Sequence, residues 1–137
     1  MPFEELSHTA DWSLRVWADD LTTLFMEAAR GLNTLAGIRM AEGPPVKSSF
    51  STVAMDKDGL LVAFLSELIY YIEKDGLAFT FFDLSLTTEK DLYWKILAEM
   101  QGAPILSLDK VIKAVTWHKL QIHRSERGME VEIIFDV

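Results

Sequence analysis

The sequence predicts an α+β fold: a single domain of mainly antiparallel β-sheet with two α-helices packed on it. Three observations carry this reading. Two segments repeat apolar residues at helical spacing, several others alternate with a period of two, and the late strands are joined by turns too short for a parallel crossover. A length of 137 residues fits one domain spanning residues 1–137.

The elements follow in the order strand, helix, strand, helix, strands. Trp12-Ser13-Leu14-Arg15-Val16-Trp17-Ala18 alternates as a half-buried strand does. Leu21, Leu24, Phe25, Ala28, Leu32 and Leu35 then share one helical face. Asp19-Asp20 stands at the capping position and Gly37 closes the segment. Gly43-Pro44-Pro45 marks a loop, and Ser49 to Met55 alternates again. The second helix runs from about Asp58 to Lys74. Leu61, Phe64, Leu65, Leu68 and Ile72 form its stripe, Asp56 or Asp58 caps it, and Gly76 lies just past its end. Leu77 to Thr88 reads as one bent strand. The next strand alternates Leu92, Trp94, Ile96, Ala98 and Met100 with Tyr93, Lys95, Leu97 and Glu99. Asp91 and Gly102-Ala103-Pro104 bound it. Val111 to His118, Lys119 to His123 and Met129 to Val137 complete the set, with Glu126-Arg127-Gly128 as the turn of a closing hairpin.

Composition bounds the function. Half of the chain is hydrophobic, enough for a substantial core. No apolar run approaches the roughly 20 residues that span a bilayer, and none opens the chain behind a basic segment. The expectation is a soluble, cytoplasmic protein with no membrane partner. The absence of cysteine fits a reducing compartment and excludes disulfides, thiolate nucleophiles and thiolate metal sites. A net charge of −8 argues against a protein that holds RNA or DNA by itself. The charge is uneven, however. Lys110, Lys113, Lys119, Arg124 and Arg127, with His118 and His123, crowd a stretch that has few acids. That stretch is either a solvated strand face or a basic stripe for an acidic or phosphate-bearing partner.

The last strand is the most informative segment. Val131, Ile133, Phe135 and Val137 alternate onto one face, and Glu130, Glu132, Ile134 and Asp136 onto the other. Asp136 and the terminal carboxylate of Val137 stand together on a fixed element. Two such groups repel unless a cation or a basic side chain joins them. His8-Thr9-Ala10-Asp11 precedes the first clear strand, where a tight turn can bring His8 and Asp11 together or leave Asp11 bonding its own backbone. Lys113 interrupts an otherwise apolar strand, so it points to solvent, pairs with Asp11 or Asp136, or serves a function. Glu67 flanks the apolar stripe of the second helix, as a solvated residue or a functional one. Phosphate-cradling glycine loops, a nucleophile elbow and a helical His pair are all absent. What remains is a set of oxygen ligands, Asp11, Asp136 and the Val137 carboxylate, suited to a hard divalent cation: Ca²⁺ or Mg²⁺, with Mn²⁺ as a third choice.

Together these segments resemble the archease family. The resemblance rests on His8-Thr9-Ala10-Asp11, Ala28-Ala29-Arg30-Gly31-Leu32, Phe64-Leu65-Ser66-Glu67-Leu68-Ile69-Tyr70, Ile112-Lys113-Ala114-Val115-Thr116-Trp117-His118, and Val131 to Val137 ending Phe-Asp-Val. It spans essentially the whole chain. Two departures are mild: Phe64-Leu65-Ser66-Glu67 stands where the family often has Trp-Leu-Asn-Glu, and Trp117 where it often has Tyr. The resemblance implies an accessory protein of the RtcB-type RNA ligase of tRNA splicing and RNA repair. Such a protein accelerates guanylylation of the ligase and allows multiple turnovers, without being an enzyme itself, and meets tRNA only through the ligase. It also implies a divalent-cation site at Asp11, Asp136 and Val137, and a functional role for Lys113. His8, Glu67 and His118 are the further candidates for activating the partner. Two other classes stay open from the residues alone. One is a stand-alone metal-dependent hydrolase of the phosphoesterase kind, using Asp11 and Asp136 with His8 or His118. The other is a chaperone-like or RNA-processing module. Trp17 and Trp117 are candidates for partner contact or for the core.

Overall fold

In the computed structural model, which describes residues 2–7 and 12–137, the chain forms two antiparallel sheets and two helices around one core. The strands are β1 (Phe3–Ser7), β2 (Trp12–Ala18), β3 (Arg39–Met40), β4 (Val46–Ala54), β5 (Leu77–Glu89), β6 (Tyr93–Ser107), β7 (Ala114–Val115), β8 (His123–Ser125) and β9 (Gly128–Asp136). The helices are α1 (Leu21–Ala36) and α2 (Lys57–Tyr70), the latter running on into a π-helical turn, Tyr71–Asp75. The α+β class and the antiparallel pairing are as the sequence predicts. The strands divide between a five-stranded sheet, ordered β1-β2-β9-β7 with β8 also on β9, and a four-stranded sheet in which β6 pairs with β3, β4 and β5.

Both helices start and stop where the sequence signals them. The Asp20 side chain accepts from the Thr23 N–H (2.8 Å) at the start of α1, and Gly37 closes it in the left-handed conformation. Asp56 caps α2 through the Gly59 N–H (2.7 Å), and Gly76 ends the π-helical turn, again left-handed. Helix α1 packs on β1 and β2 and reaches β5. Helix α2 packs on β4 and touches β6 and β7. Leu14, Val16, Val131, Ile133 and Phe135 from the first sheet and Ile96, Ala98 and Met100 from the second meet the helices in the core.

Three segments differ from the sequence reading. Strand β1 carries no alternation long enough to announce itself, yet it pairs along the whole of its length with β2. Strand β6 does not stop at Gly102-Ala103-Pro104 but continues to Ser107. A Cβ at Gly102 would stand 1.9 Å from the Ala78 carbonyl oxygen, so glycine there permits a close strand approach. Pro104 keeps its place because its carbonyl accepts the Ala41 N–H (2.8 Å) and the ladder resumes with the Ile105 N–H on the Gly76 oxygen (2.7 Å). The expected strands Val111–His118 and Lys119–His123 shrink to β7 and β8. Asp58 accounts for this: its side chain accepts the Ile122 N–H (2.9 Å) and draws the segment to the start of α2, while Leu120 and Ile122 enter the core. The remaining turns follow the prediction. The β5–β6 hairpin turns through Lys90 and Asp91, both left-handed, β5 carries a bulge at Thr80, and Glu126-Arg127 joins β8 to β9 ahead of Gly128.

Candidate functional site

Strand β9 is an interior strand of its sheet, and its alternation is the one read from the sequence. Val131, Ile133 and Phe135 are fully buried, while Asp136 is exposed on the opposite side of the pleat. Val137 is half-buried and packs against the core. The burial of Phe135 fixes the backbone one residue before Asp136, so that carboxylate is held on a rigid support at the sheet end.

Two other segments converge there. Trp12, where the described chain resumes, pairs with Phe135, so β2 begins beside the end of β9. On the other side Ala114 pairs with Asp136, and the Lys113 N–H donates to the Asp136 carbonyl (2.8 Å). The Lys113 side chain is exposed to solvent. The approach of 108–113 is anchored on α1: the Asp109 and Lys110 N–H groups donate to the Ala36 carbonyl (2.8 and 3.1 Å), and the Lys110 ammonium sits 2.9 Å from the centre of the Trp12 ring.

His118 is exposed in the turn after β7, closed by the Leu120 N–H on the Trp117 carbonyl (3.2 Å). Glu67 is half-buried on α2. His8 and Asp11 lie outside the described residues. The structure thus brings Asp136, Val137 and Lys113 together at one sheet end. Among the described residues, no three His, Asp or Glu side chains are grouped closely enough to hold a metal ion. Of the possible donors, Asp136 and Val137 belong to the described part, and they supply only oxygen, the donor type of a hard cation.

The basic stretch resolves into separate roles rather than one stripe. Arg127 stacks over the Trp17 ring (4.2 Å) and approaches Glu130 (3.8 Å). Arg15 gathers Glu4, Glu130 and Glu132 at 3.6–3.7 Å on the same outer face. Lys113, His118, Lys119, His123 and Arg124 remain exposed. Trp17 is therefore half-buried under an arginine, whereas Trp117 is 62% exposed, an exposure that periodicity alone could not reveal. Among the described residues, no helix is long and apolar enough to cross a membrane.

Comparison with known proteins gives a consistent result. Residues 3–137 match the model of the Archease protein family (MTH1598/TM1083). A protein archease of Methanopyrus kandleri is 31% identical over 141 residues, covering 100% of both chains. One from Methanosarcina barkeri is 28% identical, covering 98% of this chain and 95% of its own. A protein archease of Pyrococcus furiosus is also 28% identical, over 92% and 91%. The solution structure of Methanobacterium thermoautotrophicum protein 1598 shares the fold with a TM-score of 0.74, at 23% identity and 99% coverage of each chain.

Proposed function

The chain belongs to the archease family, and from that premise we propose that it is the accessory protein of an RtcB-type RNA ligase, acting in the cytoplasm. In this reading it promotes guanylylation of the ligase and its multiple turnover in tRNA splicing and RNA repair. It performs no catalysis of its own and meets RNA only through the ligase.

The observation that carries this reading is the placement of Asp136. It is exposed, backed by the fully buried Phe135, and flanked by Lys113 and the start of β2. Asp11 immediately precedes Trp12 in the chain, and Trp12 pairs with Phe135. We assign Asp11, Asp136 and Val137 as the ligands of a divalent cation, Ca²⁺ or Mg²⁺ before Mn²⁺. When bound, such a cation supplies fixed positive charge for phosphate oxygens. The rest falls to this chain's side chains. Asp136 presents its carboxylate outward from a rigid strand, so little ordering is needed on contact with the ligase. Lys113, immediately before β7, offers an ammonium for the anionic nucleotide. His8, His118 and Glu67 are assigned to partner activation.

Single-turnover guanylylation of the ligase tests the proposal, with wild type, Asp11→Asn, Asp136→Asn and Lys113→Ala. Wild type is expected to accelerate the step, and the two Asn variants to lose most of that acceleration. Each Asn change removes a charge at nearly constant shape. Calorimetric titration of the isolated protein with Ca²⁺ and Mg²⁺ gives a second readout, in which both variants should bind more weakly. Full acceleration by Asp136→Asn would end the assignment of the acidic tip.

A further inference from the structure

Two hydroxyls flank Ile134 on the outer face of the first sheet, and their situations differ. Ser13 pairs with Ile134 from β2, is fully buried, and its Oγ donates to the Leu6 carbonyl (3.2 Å). Thr116 stands on the other side, where its N–H donates to the Ile134 carbonyl (2.8 Å). The Thr116 Oγ1 is shielded from solvent, yet it has no hydrogen-bond partner among the described residues. No other buried side-chain nitrogen or oxygen of the described residues is left in that state. A buried hydroxyl without a partner has lost its bond to water and gained nothing for it, and folds rarely keep one without a use.

The pleat shows where this hydroxyl faces. Val115 is buried in the core and pairs with Phe135. Side chains alternate along an extended strand, so Thr116 turns to the opposite face, the one on which Ala114 pairs with Asp136. Thr116 and Asp136 are therefore diagonal neighbours across the two strands, a relation that sets backbones roughly 7–8 Å apart and side chains closer. Asp136 is exposed, so its carboxylate is free to turn towards β7. An ionised carboxylate only accepts, so a bond between the two has one direction, from the Thr116 hydroxyl to an Asp136 oxygen.

We infer that Thr116 is a positioning residue of the acidic tip: its hydroxyl donates to the Asp136 carboxylate and holds it in the orientation that binds a divalent cation. The inference rests on the assignment of such a cation to Asp136, and it adds a residue that does not itself touch the ion. One Asp136 oxygen faces the cation and the other accepts from Thr116. The bond is charge-assisted, hence stronger than one between neutral groups, and it lies in a row that Ile134 and Ser13 keep free of water. Forming it also relieves the orphaned hydroxyl, so the gain is larger than for a group already bonded.

The test combines calorimetric titration with Ca²⁺ and Mg²⁺ and urea denaturation of chelator-treated protein, for wild type, Thr116→Val and Thr116→Ser. Thr116→Val keeps the shape and removes the hydroxyl. It should weaken cation binding about tenfold or more, the usual cost of losing a partner that orients a metal ligand. Its urea midpoint without cation should equal or exceed that of wild type, because an unpartnered hydroxyl contributes nothing there. Thr116→Ser keeps the donor and should bind nearly as wild type does. The plateau rate of ligase guanylylation, reached at saturating concentrations of this protein, should fall for Thr116→Val at low cation and recover at high cation. Wild-type affinity in Thr116→Val would overturn the role of Thr116 alone. Weaker binding accompanied by a lower urea midpoint would overturn it in favour of a hydroxyl that a buried water satisfies and that only supports the fold. No cation binding by wild type would overturn the cation assignment, and this inference with it.

Discussion

Phe135 and Asp136 are neighbours with opposite environments, one fully buried and one exposed. That contrast separates stability from function at the level of single residues. Asp136→Asn removes no packing, so its effect on unfolding free energy should stay within about 0.5 kcal/mol, to be checked by urea denaturation. Gly102 is the opposite case. Its Cβ position falls on the backbone of β5, 1.9 Å from the Ala78 oxygen and 2.7 Å from the Phe79 Cα, and backbone cannot move aside as a flexible side chain can. Gly102→Ala should therefore destabilise by about 2–3 kcal/mol, at the upper end of overpacking costs. Ser85→Ala, an exposed site on β5, should be close to neutral in the same urea titration. The tightness at Gly102 was not legible in the sequence. Gly-Ala-Pro reads as a strand end because glycine and proline usually break ladders, and only the approach of β5 shows that here they sustain one.

Elements with strong local signals were legible, and those fixed by long-range bonds were not. Both helices were marked by their caps, Asp20 and Asp56 in front and Gly37 and Gly76 behind, and these groups act within a few residues of themselves. Strand β9 was marked by its alternation. The stretch after β7 was misjudged because Asp58, 64 residues away in sequence, takes the Ile122 N–H from a would-be ladder. This explanation makes a prediction at the scale of the element. Asp58→Ala should leave α2 in place, since Asp56 provides its cap, but should release the segment 118–122. The Ile122 amide should then exchange with solvent faster by a factor of about 10–100, the equivalent of the 1.5–3 kcal/mol typical of a hydrogen bond to a charged group. Amides of β2 should be unchanged in the same hydrogen-exchange experiment. Uniform loss of protection across the sheet would mean that Asp58 holds the whole fold rather than this segment. The candidate site shows the same division. Asp136, Val137 and Lys113 could be singled out from the sequence, whereas the exposure of Trp117 depends on how a short strand departs from β9 towards α2.

At the scale of the whole molecule, the fold ties the site to the core through one strand. Strand β9 lies between β2 on one side and β7 and β8 on the other, and its inward residues pack beneath the helices. Phe135 faces inward opposite Trp12, so the last buried layer of the core is also the platform of the acidic tip. A loss of packing at that layer should reach function by displacing Asp136 even where the protein stays folded. Phe135→Leu and Met100→Leu separate this from a general loss of stability. Both replace a buried side chain by a smaller or differently shaped apolar one, with an expected cost of about 1–2 kcal/mol, well inside the total of about 5–15 kcal/mol usual for a domain. Met100 lies on β6 in the other sheet, away from the convergence of β2, β7 and β9. If the core acts on the site through β9, Phe135→Leu should lower both cation affinity and the plateau of ligase guanylylation, measured at a temperature where circular dichroism shows each variant folded. Met100→Leu, at similar stability loss, should leave both unchanged. Equal losses in the two variants would mean that the tip senses only the global stability of the domain, and that the packing of Phe135 gives Asp136 no particular support.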